Sequence, residues 1–217
     1  MSINFGLFGG LNSQNGNDAV SIRRSVKIPL NRGEGTFFSF SGLADGKEHI
    51  AIGFGDWAEQ DAPLARLHSE CLTGDVFASG KCDCGEQLNE AVDRMRAEGG
   101  LLLYLRQEGR NIGLYNKLDA YELQRQGHDT YEANRLLGFP DDSRDFTVAA
   151  QMLCALGKTS IRLLSNNPEK RSQLSRLGIT VVSVENTGVF LKETNRSYLE
   201  TKAVKGGHEL LFVGGLA

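Results

Sequence analysis

The chain lacks any run of about 18 consecutive apolar residues, the length a membrane-spanning helix needs. Its densest short run is Leu101-Leu102-Leu103-Tyr104-Leu105. The opening Met1-Ser-Ile-Asn-Phe-Gly-Leu-Phe-Gly-Gly lacks the basic start and long apolar middle of a secretory signal. Together these absences predict a cytoplasmic protein with no membrane partner. An excess of basic charge is missing too: 24 Lys and Arg stand against 27 Asp and Glu, a formal net charge of −3. A general nucleic-acid binder usually shows a strongly basic domain, so no nucleic-acid partner is expected. A small phosphorylated substrate needs only a local basic pocket and stays open. Cysteine is scarce, and Cys71, Cys82, Cys84 and Cys154 are expected, in a reducing compartment, as thiols or metal ligands rather than disulfides. No internal repeat or linker is visible, which favours one compact domain.

With 40% hydrophobic and 24% charged residues, wholesale disorder is excluded. At 217 residues the chain can bury roughly 70% of its unfolded surface without disulfides. Residues 1–20, rich in Gly, Asn and Ser, predict a disordered arm, leaving 21–217 as a single domain. Ser25–Leu30, Gly35–Gly42 and His49–Gly53 alternate as strands of an antiparallel meander, with turns at Asn31-Arg-Gly and Ala44-Asp-Gly. Leu64–His68 is a fourth strand, running into the cysteine cluster.

Beyond it the rhythm changes. Leu88, Ala91, Val92 and Met95 mark one face of a helix that stops at Gly99-Gly100, and Leu101–Leu105 is a short buried strand. Helices follow at Leu114–Gln126, Tyr131–Leu137 and Phe146–Leu156, the last with Phe146, Ala149, Ala150, Leu153 and Leu156 on one side. Ile161–Leu164 and Ile179–Val184 are strands, flanking a helix that Asn167-Pro168 opens and Gly178 ends. Strands alternating with helices predict an α/β fold: a mixed sheet with an antiparallel N-terminal portion and flanking helices.

Chemistry concentrates in Cys71 and Cys82-Asp-Cys84. Three thiolates suit Zn²⁺ and leave a fourth tetrahedral position for water. They outweigh the metal's two charges, so such a site is a weaker Lewis acid than a three-histidine site and needs a proton carrier; His68 and Glu70 stand beside it. A structural zinc completed by His128, His208 or Cys154, or buried thiols with no metal, are the alternatives from spacing alone. His68-Ser69-Glu70 matches half of the zinc-deaminase signature, but the other half should read P-C-x-x-C, and here the pair is Cys82-x-Cys84.

Arg106-Gln-Glu-Gly-Arg110-Asn-Ile-Gly113 lies between a buried strand and a helix, where a phosphate or base pocket readily forms, although a charged loop is often merely solvated. Lys117, Lys170 and Arg171 are ambiguous singly. Asp141-Asp142-Ser143-Arg144-Asp145 reads as an acidic helix start capped by Asp or Ser. Within it, Arg144 is a cation at a helix N-terminus, disfavoured unless an anion is near.

Taken together, these segments resemble GTP cyclohydrolase II, the enzyme that opens riboflavin synthesis, over about residues 25–210. The likeness runs through Arg66-Leu-His-Ser-Glu-Cys-Leu-Thr-Gly-Asp75, Cys82-Asp-Cys-Gly-Glu-Gln87, Tyr104-Leu-Arg-Gln-Glu-Gly-Arg-Asn-Ile-Gly113, Asn116-Lys-Leu-Asp-Ala-Tyr121, Asp129-Thr-Tyr-Glu-Ala-Asn134, Leu137-Gly-Phe139, Arg144-Asp-Phe-Thr147 and Ser165-Asn-Asn-Pro168. The resemblance implies a catalytic Zn²⁺ on Cys71, Cys82 and Cys84, where activated water attacks C8 of guanine, opens the imidazole ring and releases formate. It implies loss of pyrophosphate with Mg²⁺ on the triphosphate. By position Arg144 matches the family's proposed nucleophile on the α-phosphate and Asp142 its proton acceptor. Arginine's very high pKa makes charge stabilisation the easier role for Arg144. Tyr121 matches the tyrosine of the hydrolytic steps. Substrate contacts carry over to Arg66, Leu67, His68, Ser69, Glu70, Gln87, Glu108, Gly109, Arg110, Thr130, Ser165 and Lys170. A homodimer is implied, as is a monofunctional form with no room for the dihydroxybutanone-phosphate synthase module.

The chain departs from the family pattern at Ser165, where threonine is usual and the hydroxyl survives, and at Gly80-Lys81, which replaces Leu-Arg and loosens the loop. Asp119 and Glu122, acidic neighbours of Tyr121, are expected to weaken triphosphate attraction or alter product handling. The alternatives are a paralogue that stops at the formamidopyrimidine or feeds a secondary-metabolite pathway, and a non-catalytic nucleotide-binding protein.

Overall fold

β1 (Ser21–Leu30) and β2 (Gly33–Ser41) form an antiparallel hairpin running from Ser21↔Ser41 to Leu30↔Gly33, and Gly33 takes φ +100° at the turn. The structure is a computed structural model that describes residues 19–31 and 33–204. The expected arm thus falls outside the described residues, except Ala19 and Val20. β1 begins four residues before the sequence pattern suggests. It is an edge strand with almost every side chain exposed, so no apolar period marks its start. β3 (Ile50–Phe54) extends the hairpin antiparallel to β2.

The next strand in the chain, β4 (Leu64–Ser69), does not pair with β3. β5 (Gly100–Leu105) lies between them, antiparallel to β3 and parallel to β4. Both β4 and β5 are buried on both faces, the environment of central parallel strands. A parallel pair needs a long crossover, supplied by α1 (Leu72–Asp75) and α2 (Cys84–Glu98), which ends at Gly99 with φ +78°. β6 (Ser160–Leu164) and β7 (Thr180–Glu185) complete a seven-stranded mixed sheet of order β1-β2-β3-β5-β4-β6-β7. The α/β class and the antiparallel N-terminal portion are as the sequence indicates.

The remaining helices are α3 (Glu108–Asn111), α4 (Leu114–Arg125), α5 (Thr130–Leu136), α6 (Thr147–Ala155), α7 (Pro168–Arg176) and α8 (Arg196–Val204). Asp129 and Glu132 form a capping box on α5, and the Asn167 side chain accepts from Glu169 N at 2.9 Å to open α7. At α6 it is Asp145, not Asp142 or Ser143, whose carboxylate takes the first-turn N–H, from Thr147 at 2.7 Å.

Period-two alternation divides the core into two layers. Ala65, Leu67, Leu101, Leu103 and Leu105 pack under α6 and α7 with Phe146, Ala149, Leu153 and Leu174. Leu64 and Leu102 face the other way, onto Ala91 and Met95 of α2. The same alternation sends Arg66 and His68 to the α2 side. β4 and β6 pair only at Leu64↔Arg162 and Ala65↔Leu163. Beyond that point Arg66 and Ser69 have no strand partner on the β6 side, and the chain leaves β4 toward β5 and β6 toward β7. A crevice opens where parallel strands diverge in this way at their carboxyl ends.

Candidate active site

The crevice floor is a sulfur cage. Cys71 follows β4, Cys82 precedes α2 and Cys84 begins it; among the described residues these three bring their Sγ atoms within 4.8 Å of one another. Cys71 Sγ and Cys82 Sγ lie 3.7 Å apart. Zn–S bonds of about 2.3 Å at tetrahedral angles place sulfurs about 3.8 Å apart, so this spacing fits the ion. Gly74 makes room: a Cβ there would stand 2.8 Å from Cys82 Sγ and 3.1 Å from Cys71 Sγ. The donor set also asks for a cation. Hydrogen bonds from the two neighbouring thiols, helped by Lys117, hold Cys71 far below the usual thiol range. In return the bond to Cys71 pushes Cys82 up to about 11, and Cys84 rises further for the same reason. Three adjacent thiolates are stable together only around a positive ion. The other two described candidates for a fourth ligand, Cys154 and His128, are exposed and not part of the cluster; His208 lies outside the described residues.

Two networks border the cage. His68 Nε2 sits 3.0 Å from Asp75 Oδ1, and Asp75 Oδ2 also accepts from Tyr104 Oη at 2.8 Å and Cys71 N at 3.0 Å. Burial holds the His68 imidazole below its usual range, and its Nδ1 is buried with no protein partner. On the opposite side Lys117 Nζ donates to Cys71 Sγ at 3.1 Å, Thr73 Oγ1 at 3.0 Å and Glu108 Oε1 at 2.7 Å. Tyr121 Oη lies 3.4 Å from Thr73 Oγ1, and burial raises the phenol above its ordinary value.

The far end is cationic. Arg66 donates to Gln87 Oε1 at 2.8 Å, Gln87 in turn to Asp83 Oδ2 at 2.6 Å, and Arg66 Nε is left without a partner. Lys170 donates to Leu67 O at 2.6 Å; burial, then Arg66 and Arg144, drive its pKa well down. Arg144 places Nε 2.9 Å from Asp142 Oδ1 and Nη2 2.5 Å from Oδ2. Burial lowers the Arg144 pKa, but the bonds to Asp142 outweigh it and hold the guanidinium above its usual range. Arg110 stacks over Tyr131 at 4.3 Å and donates to Asp141 O.

Gly109, Arg110 and Asn111 all adopt positive φ, of 62°, 61° and 74°, so two non-glycine residues carry strained backbone in one turn. A clamp from the β2–β3 connection holds it. His49 Nδ1 accepts from Arg106 N at 2.9 Å, His49 Nε2 faces Asp45, and Lys47 Nζ donates to Arg106 O and, at 2.6 Å, to Asn111 Oδ1.

Sulfur and cationic ends share one cleft of about 1130 Å³ with its open mouth. It is lined by Arg66, His68, Ser69, Glu70, Gln87, Glu108, Gly109, Arg110, Tyr121, Thr130, Arg144, Ser165 and Lys170, together with the three cysteines. Leu67 is the exception among the residues expected at the substrate: its side chain is fully buried among the β4–α6 core because strand alternation points it away, and only its carbonyl reaches the site through Lys170. Asp142 acts behind Arg144 rather than in the wall. Ser165 Oγ is engaged with Asn167 N at 3.0 Å. Asp119 and Glu122 do not line the cleft, and Glu122 pairs with Arg125; at 100° per residue α4 turns Lys117, Ala120, Tyr121 and Gln124 inward instead. Asp119 and Glu122 therefore lie outside the cleft wall.

Nothing in the sequence alone marks Asp75, Gln107, Asn134, Tyr198 or Lys202 for the site, although all but Asp75 line the cleft. Asp75 was legible only as the end of a motif. Tyr198 and Lys202 come from α8, whose Arg-Ser-Tyr-Leu-Glu-Thr-Lys-Ala-Val has no apolar stripe to announce it.

A family model described as GTP cyclohydrolase II matches residues 21–186, so Tyr198 and Lys202 lie beyond it. The chain is 56% identical over 195 residues to the GTP cyclohydrolase-2 of Psychromonas ingrahamii, covering 89% of this chain and 98% of that one. It is 60% identical over 173 residues to the GTP cyclohydrolase-2 of Vibrio vulnificus, 79% and 87% of the two chains. With the riboflavin biosynthesis protein RibBA of Bacillus cereus it shares 50% identity over 192 residues, 87% of this chain and 48% of that one. Cage, cationic cleft and these matches agree: the chain belongs to the GTP cyclohydrolase II family and has that enzyme's activity.

Proposed function

We propose that the enzyme uses Zn²⁺ on Cys71, Cys82 and Cys84 to open the imidazole ring of GTP, giving 2,5-diamino-6-ribosylamino-4(3H)-pyrimidinone 5′-phosphate, formate and pyrophosphate, the first step of riboflavin biosynthesis. A zinc ion held there supplies Lewis acidity and a water more acidic than bulk. Everything else falls to the chain. With Nε2–H directed at Asp75, neutral His68 keeps Nδ1 as a buried acceptor with no protein partner, free to take a proton from substrate or water that reaches it. Tyr121, a protonated phenol, donates at the cage rim.

At the other end Arg66, Arg110, Arg144 and Lys170 receive the triphosphate. Nucleophilic attack by Arg144 would require removing a proton that Asp142 stabilises, and two of its nitrogens are already committed to that carboxylate. Stabilising charge on the α-phosphoryl group is the role its environment favours. Mg²⁺ arrives with the triphosphate, whose oxygens are hard ligands of the kind that ion prefers. The chain works in the cytoplasm as a homodimer, with GTP as its ligand. In support of the dimer, Val26 of edge strand β1 and Tyr115 are left 52% and 81% exposed.

The observation that carries this reading is the three-sulfur cage within the same cleft as four buried or half-buried cations. Purified protein incubated with GTP and Mg²⁺ should release formate and pyrophosphate in equal amounts. Pyrophosphate without formate would mark an enzyme that stops at the formamide, and release of neither would overturn the proposal.

A further inference from the structure

Three thiolates around a dication leave the site one negative charge in excess, which weakens its Lewis acidity and favours protonation of the sulfurs. The structure supplies a counterweight at one sulfur only. Of the side-chain hydrogen bonds formed by the cage among the described residues, one comes from a cation: Lys117 Nζ to Cys71 Sγ, at 3.1 Å.

Lys117 is committed to this place. Its side chain is 11% exposed, and its three donors go to Cys71, Thr73 and Glu108. Glu108 does not simply cancel the ammonium, because its carboxylate is shared with main-chain donors: Leu72 N at 2.7 Å and Gly109 N at 3.2 Å. It therefore steers Lys117 toward the sulfur. The fit is close, since a Cβ on Gly109 would stand 3.1 Å from Lys117 Cβ.

We infer that Lys117 tunes the sulfur cage: by donating a charged N–H to Cys71 Sγ it withdraws electron density from that one ligand and offsets the excess negative charge of the cage, which would strengthen a bound metal as a Lewis acid. Lys117 is a positioning and tuning residue, not one that touches the reacting atoms. The inference rests on the reading that the cage holds a divalent metal, and it goes further in assigning unequal donor strength to the three sulfurs. Through Glu108 it also makes the cage sensitive to the Glu108–Arg110 turn that lines the nucleotide cleft.

The test replaces the metal with Co²⁺, whose thiolate-to-metal charge-transfer bands report electron density on sulfur. In Lys117→Met the thiolate lone pairs rise in energy, so these bands should move to longer wavelength. Co²⁺ and Zn²⁺ affinity, measured by chelator competition, should fall about 10- to 100-fold, the usual cost of losing a hydrogen bond to a metal ligand. Lys117→Gln, which keeps an N–H but loses the charge, should show a smaller shift of the same sign and serves if the methionine variant does not fold. Bands at the wild-type wavelength in the variants would overturn the inference, as would a loss of thermal stability alone, the mark of mere packing. Wild-type protein that shows no thiolate-to-cobalt band at all would instead overturn the metal reading and take this inference with it.

Discussion

Gly74→Ala is the smallest change that strains the metal-loaded cage without touching a ligand. The added Cβ would lie 2.8 Å from Cys82 Sγ and 3.1 Å from both Cys71 Sγ and Cys84 Cβ. Neither side of that contact can retreat. Metal–sulfur bonds of about 2.3 Å fix the sulfurs once an ion is bound. Behind Gly74 the chain is stopped by Gly85, where even a Cβ would come within 2.5 Å of the Gly74 carbonyl oxygen. Overpacking of this kind costs about 1–3 kcal/mol. In the metal-free protein the thiols can rotate away, so the cost falls on the loaded state, and at about 1.4 kcal/mol per decade metal affinity drops roughly 5- to 140-fold. Chelator competition measures the drop, and thermal unfolding of the metal-free protein should show little change. Gly80→Ala is the comparison, because its Cβ would meet only the Thr194 side chain, Oγ1 at 2.8 Å and Cβ at 3.6 Å, and none of the cysteines. Wild-type zinc affinity in Gly74→Ala would refute the argument that the cage is closed by this glycine.

The two ends of the cleft should fail separately. Cys82→Ser should lose zinc and formate production while leaving pyrophosphate release measurable. Arg144→Ala should keep its zinc yet lose pyrophosphate release by about 10²- to 10³-fold, and near-normal turnover would remove Arg144 from the reaction. His49→Ala breaks the clamp on Arg106 N, a bond of about 0.5–1.5 kcal/mol, so KM for GTP should rise about 2- to 12-fold with metal content unchanged. His49→Asn, which can still present an acceptor to that N–H, should recover part of the loss, and an unchanged KM in His49→Ala would defeat the clamp. Burial raises the Asp142 pKa, but the Arg144 bonds outweigh it and hold the carboxyl below its ordinary value. Its stabilising effect is therefore full above the unfolded carboxylate pKa near ~3.9 and lost as pH falls through the folded value. Urea denaturation should show the advantage of wild type over Asp142→Asn shrinking from pH 6 toward pH 3, and a constant gap would refute the pairing.

Where local pattern governs, the sequence speaks clearly. Leu88, Ala91, Val92 and Met95 announce α2, Asn167-Pro168 announces α7, and both pack as their spacing implies. Pairing order is another matter. Leu64–Ser69 follows the meander in the chain, yet nothing in its residues says that β5 will insert beside it, because strand neighbours are chosen by a crossover 30 residues long. The cage was legible because ligation needs particular atoms at short spacing. Its supports were not: Asp75 under His68, Lys117 against Cys71, and the Asp45–His49–Lys47 clamp join residues 7, 46 and 57–64 positions from their partners. An ordinary lysine on a helix carries no mark of the sulfur it will meet.

The cleft is cationic although the chain carries a net charge of −3. The anticipated cations Arg66, Arg110, Arg144 and Lys170 are joined in the cleft by Lys81, Lys117 and Lys202, whereas among the described residues only Glu70 and Glu108 bring carboxylates to its wall. Each of those two carboxylates is tied to a basic neighbour, Glu70 to Arg106 and Glu108 to Lys117. Acidic residues elsewhere set the overall charge but not the field inside a water-poor crevice. Burial, and after it the repulsion of Arg66 and Arg144, drives Lys170 toward its neutral form, a penalty that an incoming polyanion would offset. On the proposed reading, a triphosphate at this cationic end would offset that penalty and leave the purine facing the sulfur end.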